Sequence, residues 1–223
     1  SVMEAGSTKI ELSAIDEERF GVRTARASQV TLDNLPTVLD FCQANNVEFL
    51  IARCLVSELA AAQAMEKKGF ILTDTLVYYA RALTRMPVPS DTSEITVRPV
   101  RPGEEEQVRI VAARSFQGYF SHYHADPRLD RTKCDEVYAS WAMRSCTSRE
   151  VADEVLVAVD GGSILGFATL RINSQKSKEG EGVLFGVDPS AQWRRVYIYR
   201  SFMIRSMEWF LERGCTRQVM STQ

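Results

Sequence analysis

A chain of 223 residues with 45% hydrophobic residues is long enough for one large domain or two small ones, each with an ordinary buried core. Its formal charge of −2 gives no whole-molecule attraction to nucleic acid, so each arginine cluster has to be read as a local site. No apolar run approaches the roughly 20 residues of a membrane span, residues 1–10 lack the basic start and apolar core of a signal peptide, and the expected location is the cytoplasm with no membrane partner.

In chain order, the pattern predicts a strand near Phe20 to Ala27, a helix from about Leu32 to Asn45 and a strand at Val47 to Ala52. A helix from Ser57 to Lys68, started by Ser57 and Glu58 and stopped by Gly69, and a strand from Thr75 to Ala82 complete a small domain. The stretch Arg85 to Glu94, RMPVPSDTSE, collects prolines and small polar residues and reads as a linker. The expected division is therefore residues 1–84, a linker at 85–94, and residues 95–223.

Beyond the linker, Ile95 to Val100 reads as a strand and Gly103 to Ser115 as a helix opened by three glutamates, which suit the positive end of a helix dipole. An aromatic loop, FQGYFSHYHADPRLD, precedes a helix from about Arg131 to Ser145. Strands at Glu154 to Val159 and Ile164 to Ile172 flank Asp160-Gly161-Gly162, a strong hairpin signal because glycine supplies the positive φ of a tight turn. A strand at Val183 to Val187, a helix from Gln192 to Arg213 and a strand at Arg217 to Thr222 follow. Consecutive antiparallel strands exclude a doubly wound dinucleotide fold, and the chain has neither G-x-G-x-x-G nor a Walker lysine loop. The expected class is mixed α/β, with a mostly antiparallel sheet and flanking helices.

The five cysteines, Cys42, Cys54, Cys134, Cys146 and Cys215, are odd in number, widely spaced and without a C-x-x-C pair, which predicts free thiols serving as small buried hydrophobes. With His122 and His124 the only histidines, no metal site is expected. A strand that feeds a helix N-terminus through a basic turn, as residues 183–200 do, presents backbone N–H groups and a positive dipole end to a pyrophosphate.

That segment carries a family resemblance. Val187-Asp188-Pro189 followed by Gln192-Trp193-Arg194-Arg195-Val196-Tyr197 is similar to the pyrophosphate turn of GNAT-superfamily N-acetyltransferases, written roughly Q/R-x-x-G-x-G/A after a strand ending in V-x-P. Phe20-Gly21-Val22, the stretch FLIARC (Phe49 to Cys54) and AMEKKGF (Ala64 to Phe70) followed by DTLVYYARAL resemble the TDP-fucosamine acetyltransferases and related sugar-amine acetyltransferases. The resemblance implies transfer of an acetyl group from acetyl-CoA to a primary amine, the 4-amine of a TDP-linked deoxysugar. It also implies a cofactor site made by Leu184, Phe185, Gly186, Val187, Gln192, Trp193, Arg194, Arg195, Val196, Tyr197 and Arg200.

The chain departs from the family pattern in two places. Arg195 and Tyr197 fill the glycine positions of the turn; their side chains obstruct the phosphates, while Arg194 and Arg195 offer charge-assisted bonds worth roughly 1.5 to 3 kcal/mol each. The family's next helix, with a tyrosine that protonates the leaving thiolate, and its last strands would follow Gln223, so the final strand is expected to lack a neighbour and to invite a homodimer. The helix and strand from Thr37 to Ala52 echo those from Phe202 to Thr222, so the small domain resembles the back half of the same fold, with Met65 where the tyrosine would stand. Tyr119, Tyr123 and Tyr197 are candidate acids, beside Tyr199, which reads as core packing, and Glu181 a candidate base beside Glu179, although EGEG also reads as a solvated turn. Tyr119, Phe120, His122, Tyr123 and His124 form a candidate wall for a sugar or base, with a packed surface loop as the plainer reading. Trp141 and Trp209 read as core, Arg205 and Arg217 as solvated, and Trp193 as stacking on adenine or blocking it. The alternative to an enzyme is a catalytically incompetent GNAT-like module that binds a ligand or partner.

Overall fold

The computed structural model describes residues 8–223 and divides into two compact units, one running to Thr73 and including His124–Lys133, the other comprising Asp74–Tyr123 and Cys134–Gln223. No helix among the described residues is long and apolar enough to cross a membrane.

The first unit contains β1 (Lys9–Leu12), α1 (Ala14–Phe20), β2 (Thr24–Ser28), α2 (Leu35–Ala44), β3 (Phe49–Ala52) and α3 (Leu59–Lys67). Its sheet has the order β1-β2-β3, with β2 antiparallel to β1 and parallel to β3. Val30, Leu35 and Val38 pack with Ala27 and Met65 in one core, so the position aligned with the family's tyrosine serves as packing. β1 and α1 have no counterpart in the sequence reading. Phe20 ends a helix instead of opening a strand, because Gly21 at φ +68° turns the chain out of the helix and β2 begins only at Thr24. The buried Asp16 fixes this corner: it accepts from Ser13 Oγ at 2.7 Å and from Arg26 Nε and Nη2 at 3.0 and 2.8 Å.

The second unit is built on β4 (Val77–Ala82), β5 (Thr96–Pro99), α4 (Glu105–Ser115), α5 (Arg131–Thr147) from Cys134 onward, β6 (Glu154–Asp160), β7 (Ser163–Ser174), β8 (Glu179–Val187), α6 (Arg195–Glu212) and β9 (Arg217–Thr222). Its sheet has the order β4-β9-β8-β7-β6-β5 and is antiparallel except for the parallel pair β8 and β9. The tight turn at Gly161 (φ +54°) and Gly162 (φ +82°) joins β6 to β7 as expected. Phe202, Phe210 and Ile198 of α6 bury one face of the sheet against Ala168 and Leu170. Val108 and Ala112 of α4 with Ala142 of α5 cover Val157 and Phe167 on the other.

Two expectations about this unit are corrected. The strand expected to complete the small domain is β4, and it belongs to the large sheet, antiparallel to β9 from Val77↔Thr222 to Ala82↔Arg217. β-branched and aromatic residues mark a strand locally, but which sheet receives it is decided by distant pairing that no local window contains. In consequence β9 lies between β8 and β4 and is not an unpaired strand. The boundary also falls earlier than residues 85–94: that stretch lies within the second unit, held to α6 by Ser93 Oγ at 2.7 Å from Ser201 Oγ, with Asp91 Oδ1 accepting from the Ser93 N–H at 3.0 Å.

Candidate cofactor site

The site begins with β8. Its first residues, Glu179-Gly180-Glu181-Gly182, form strand and not a solvated turn. Glycine is required at 180 and 182, because a Cβ at 180 would enter the Phe210 ring and one at 182 would lie 2.7 Å from the Phe185 ring. Glu179 is buried, accepts from Asn173 Nδ2 at 2.8 Å and lies 3.6 Å from Arg217 Nε, so Arg217 is an ion-pair partner and not merely solvated.

Over these four residues β8 also pairs with β9, from Glu179↔Arg217 to Gly182↔Met220. There the two strands part. Opposite Thr169 the β7–β8 register shifts, and Thr169 Oγ1 accepts from the Leu184 N–H at 3.0 Å, satisfying the bulge from a side chain. β8 continues along β7 to Val187, whereas Ser221 and Thr222 of β9 continue beside β4. A wedge therefore opens along Val183–Val187.

Main-chain direction in the wedge follows from antiparallel alternation. Asp188 N–H donates to Leu165 O at 2.7 Å, so Asp188 and Gly186 face β7, and Phe185 and Val187 turn their N–H and C=O groups toward the wedge. Of the four residues named from the sequence, Phe185 and Val187 present polar backbone there; the Leu184 N–H is taken by Thr169, and Gly186 is needed for close packing. A Cβ on Gly186 would lie 2.5 Å from Phe167 and 3.0 Å from Ser115 Oγ.

At the end of β8, Asp188 accepts from the Ser190 N–H at 2.9 Å and opens a 3-10 turn, Pro189–Arg194, that delivers the chain into α6. Arg194, the residue before α6, makes no side-chain cap, so the first-turn N–H groups of this 18-residue helix have no side-chain acceptor from that position. Arg195 has φ −52° and ψ −48°, and Tyr197 follows within the helix, so neither residue at the former glycine positions is in the left-handed region. Only the bulk of their side chains distinguishes this turn from a glycine-bearing one. Gln192, Arg195, Val196, Tyr197 and Arg200 are exposed, and Trp193 is 76% exposed. Arg194 is already engaged, because its Nη2 pairs with Asp160 in the β6–β7 turn and its guanidinium lies 4.8 Å from the Trp193 ring centre. Arg195, 5.5 Å from the Tyr199 ring, and Arg200 are the exposed cations left at the helix start.

The remaining candidates disperse. Tyr119 makes edge contacts with Phe116 and Tyr138. Burial, then the neighbouring Tyr138, pushes its phenol up and makes it a poor proton donor. Tyr123 is buried, with the His122 ring 4.2 Å away, and Phe120 is exposed. These residues belong to the second unit and His124 to the first. Tyr197 is exposed in the first turn of α6. Glu181 lies opposite in β8's alternation to Gly180 and Gly182, which meet Phe210 and Phe185, and so shares the α4 face with Leu184 and Gly186. Trp209 is buried in the α6 core and Trp141 packs on the α5 side, while Arg205 donates to Val97 O at 3.2 Å. Cavities of about 240 Å³ beside Val97 and Trp209 and about 460 Å³ beside Gly103 and Cys146 contain none of the cofactor-turn residues.

None of the five cysteines is in a disulfide; burial raises the thiols of Cys42, Cys54 and Cys215 and pushes Cys146 up to about 12, so these four are poor nucleophiles. No cluster of three metal-binding side chains is found among the described residues. The sequence reading missed two residues of the site, Thr169 and Asp160. Asp160 was visible only as a turn residue, and an isolated threonine within β7 carried no signal.

No protein-family model matches the chain. Among curated proteins it is similar to the spore coat polysaccharide biosynthesis protein SpsD of Bacillus subtilis (strain 168), 22% identical over 130 residues that cover 56% of this chain and 42% of that protein. The chain thus spans less than half the length of that relative. Among solved structures, a GCN5-related N-acetyltransferase from Sphaerobacter thermophilus superposes with a TM-score of 0.60 at 16% identity, over 96% of this chain and 67% of that one. A GCN5-related glucosamine N-acetyltransferase region of a fungal multi-domain β-N-acetylglucosaminidase gives 0.59 at 13% identity, over 95% of this chain and 28% of that one. The six-stranded mixed sheet with helices on both faces has the fold of the GCN5-related N-acetyltransferases.

Proposed function

We propose that the chain is a GNAT-type N-acetyltransferase that moves the acetyl group of acetyl-CoA to a primary amine, the 4-amino group of a TDP-linked deoxysugar. The observation that carries the reading is the wedge: β8 outruns its parallel partner, with the main chain of Phe185 and Val187 facing the opening and α6 starting at its end. An extended amide-bearing arm such as pantetheine pairs with that edge as an added strand would. Its pyrophosphate meets the first turn of α6, with Arg195 and Arg200 as counter-charges. An outward N–H in the wedge polarises the thioester carbonyl. The amine nitrogen attacks the carbonyl carbon, the C–N bond forms and the C–S bond breaks. The amine proton passes to a base, for which Glu181 is the candidate, and the thiolate takes a proton from an acid, for which Tyr119 and Tyr123 are the candidates left, since Tyr197 lies in the α6 turn that meets the pyrophosphate, a pantetheine length from the thiolate. The sugar acceptor is supported by the TDP-sugar resemblance, by the polysaccharide-biosynthesis name of the curated relative and by the glucosamine N-acetyltransferase region among the structural neighbours.

The test is calorimetry with acetyl-CoA, followed by thiol release across amino-sugar nucleotides. Absence of acetyl-CoA binding at millimolar ligand would overturn the cofactor; release with other amines but none with amino sugars would overturn the acceptor. A second reading, binding without turnover, is favoured by the burial of Tyr123, one of the candidate acids. It predicts acetyl-CoA binding with no thiol release from any amine.

A further inference from the structure

The large sheet has two edges, and they are treated differently. β5 is four residues long and ends in proline. Val100 N–H donates to Val155 O, so alternation turns Val97 and Pro99 outward. The Val97 carbonyl accepts from Arg205 Nη2 at 3.2 Å, the Pro99 carbonyl accepts from Arg98 Nη1 at 3.1 Å, and Pro99 has no N–H. These are the devices by which an edge is closed to further pairing.

β4, at the other edge, has none of them. Its sequence VYYARA contains no proline and no lysine, and Val77, Tyr78 and Tyr79 are exposed, Tyr79 to 63%. Leu83 N–H donates to Thr216 O, so Leu83, Arg81, Tyr79 and Val77 face β9, and Tyr78, Ala80 and Ala82 direct their N–H and C=O groups outward. Among the described residues no hydrogen bond reaches these outward groups.

We infer that β4 pairs antiparallel with β4 of a second copy about a two-fold axis at Ala80, joining two six-stranded sheets into one. Outward residues must pair with outward residues, and the one register that uses all three on both copies sets Ala80 opposite Ala80 and Tyr78 opposite Ala82 in hydrogen-bonded pairs. It sets Tyr79 opposite Arg81 in the closer pairs between them. The strand is self-complementary in that register: each tyrosine ring at 78 lies beside an alanine, and the single charge, Arg81, meets an aromatic ring and not another arginine. An isologous contact of this kind closes with two copies.

Sedimentation velocity of the full chain over a concentration series tests this, and it is independent of acetyl-CoA binding. A dimer is expected; a monomer at every concentration up to about 0.1 mM overturns the inference. Tyr79→Lys sets lysine against arginine at an exposed position and is expected to weaken association at least about tenfold, with the unfolding temperature unchanged when both proteins are diluted below the association range. Tyr79→Lys combined with Arg81→Glu is expected to restore it. Failure of the double variant to associate, or association of the single variant at full strength, overturns the register. Ala80→Cys is expected to form an intermolecular disulfide under mild oxidant, above the background of the unsubstituted chain, because paired Cα atoms about 5.5 Å apart suit that bond. A dimer in which this cysteine never crosslinks assigns the contact to another surface and overturns the inference.

Discussion

Each unit contains a strand, a helix and a second strand parallel to the first, β2-α2-β3 in one and β8-α6-β9 in the other, and only the second opens. In the first, pairing from Thr24↔Phe49 to Ala27↔Ala52 continues past the strand ends, because Arg53 N–H donates to Ala27 O at 2.9 Å and Val30 N–H to Arg53 O at 3.0 Å. The loop into α2 is closed by its own side chains: Asn34 Oδ1 accepts from the Thr31 N–H at 2.7 Å, and Asn34 Nδ2 donates to Gln29 O at 3.0 Å. In the second, a bulge and the Phe185 ring over Gly182 part the strands. The same chain path thus makes a closed core in one unit and a ligand-shaped edge in the other, and what differs is a few hydrogen bonds at the ends of the strands.

The comparison is broken most strongly by removing what supports the open half of β8. Phe202 is fully buried, with the Phe185 ring packed edge-on against it, so Phe202→Ala is expected to cost about 3 to 5 kcal/mol in denaturant unfolding. Next is the mouth of the wedge. Arg195→Glu is expected to weaken acetyl-CoA binding by about 10- to 100-fold in calorimetry, the worth of one charge-assisted bond. Arg195→Gly is expected to bind no tighter than the parent, since the backbone at 195 is helical and has no strain to relieve. Asn34→Ala, which opens the loop into α2, is expected to cost about 1 kcal/mol of stability and leave acetyl-CoA affinity unchanged. The smallest effect is expected from Asp160→Ala: freeing Arg194 from an exposed partner strengthens acetyl-CoA binding by no more than about fivefold, and added salt removes the gain.

How far the sequence foretold this contrast depends on range. The Gly161-Gly162 hairpin, V-D-P, and the helices α2 and α6 were legible because glycine, proline and apolar periodicity act within a few residues. β4 was legible as a strand but not as a member of the large sheet, since its partner is β9. Glu179-Gly180-Glu181-Gly182 looked like a turn because these residue types are poor strand formers; Phe210 overhead and the Arg217 and Asn173 contacts to Glu179 make it strand. In the candidate site, the stretch named from the sequence folds as the 3-10 turn and the start of α6, but which of its residues have free charge was not readable. The partner that occupies Arg194 lies in a different hairpin.

The pairing of β4 with β9 also sets an order of events. β4 precedes β5 through α6 in the chain, yet the strand it lies against is β9, so during synthesis its hydrogen-bonding edge waits while all of those elements are made. Closing so long a loop is entropically slow, and a sheet that depends on it folds late. Nascent chains paused before residue 217 would hold VYYARA unpaired on both sides, which makes this hexapeptide the segment most exposed to misassociation before the fold is complete.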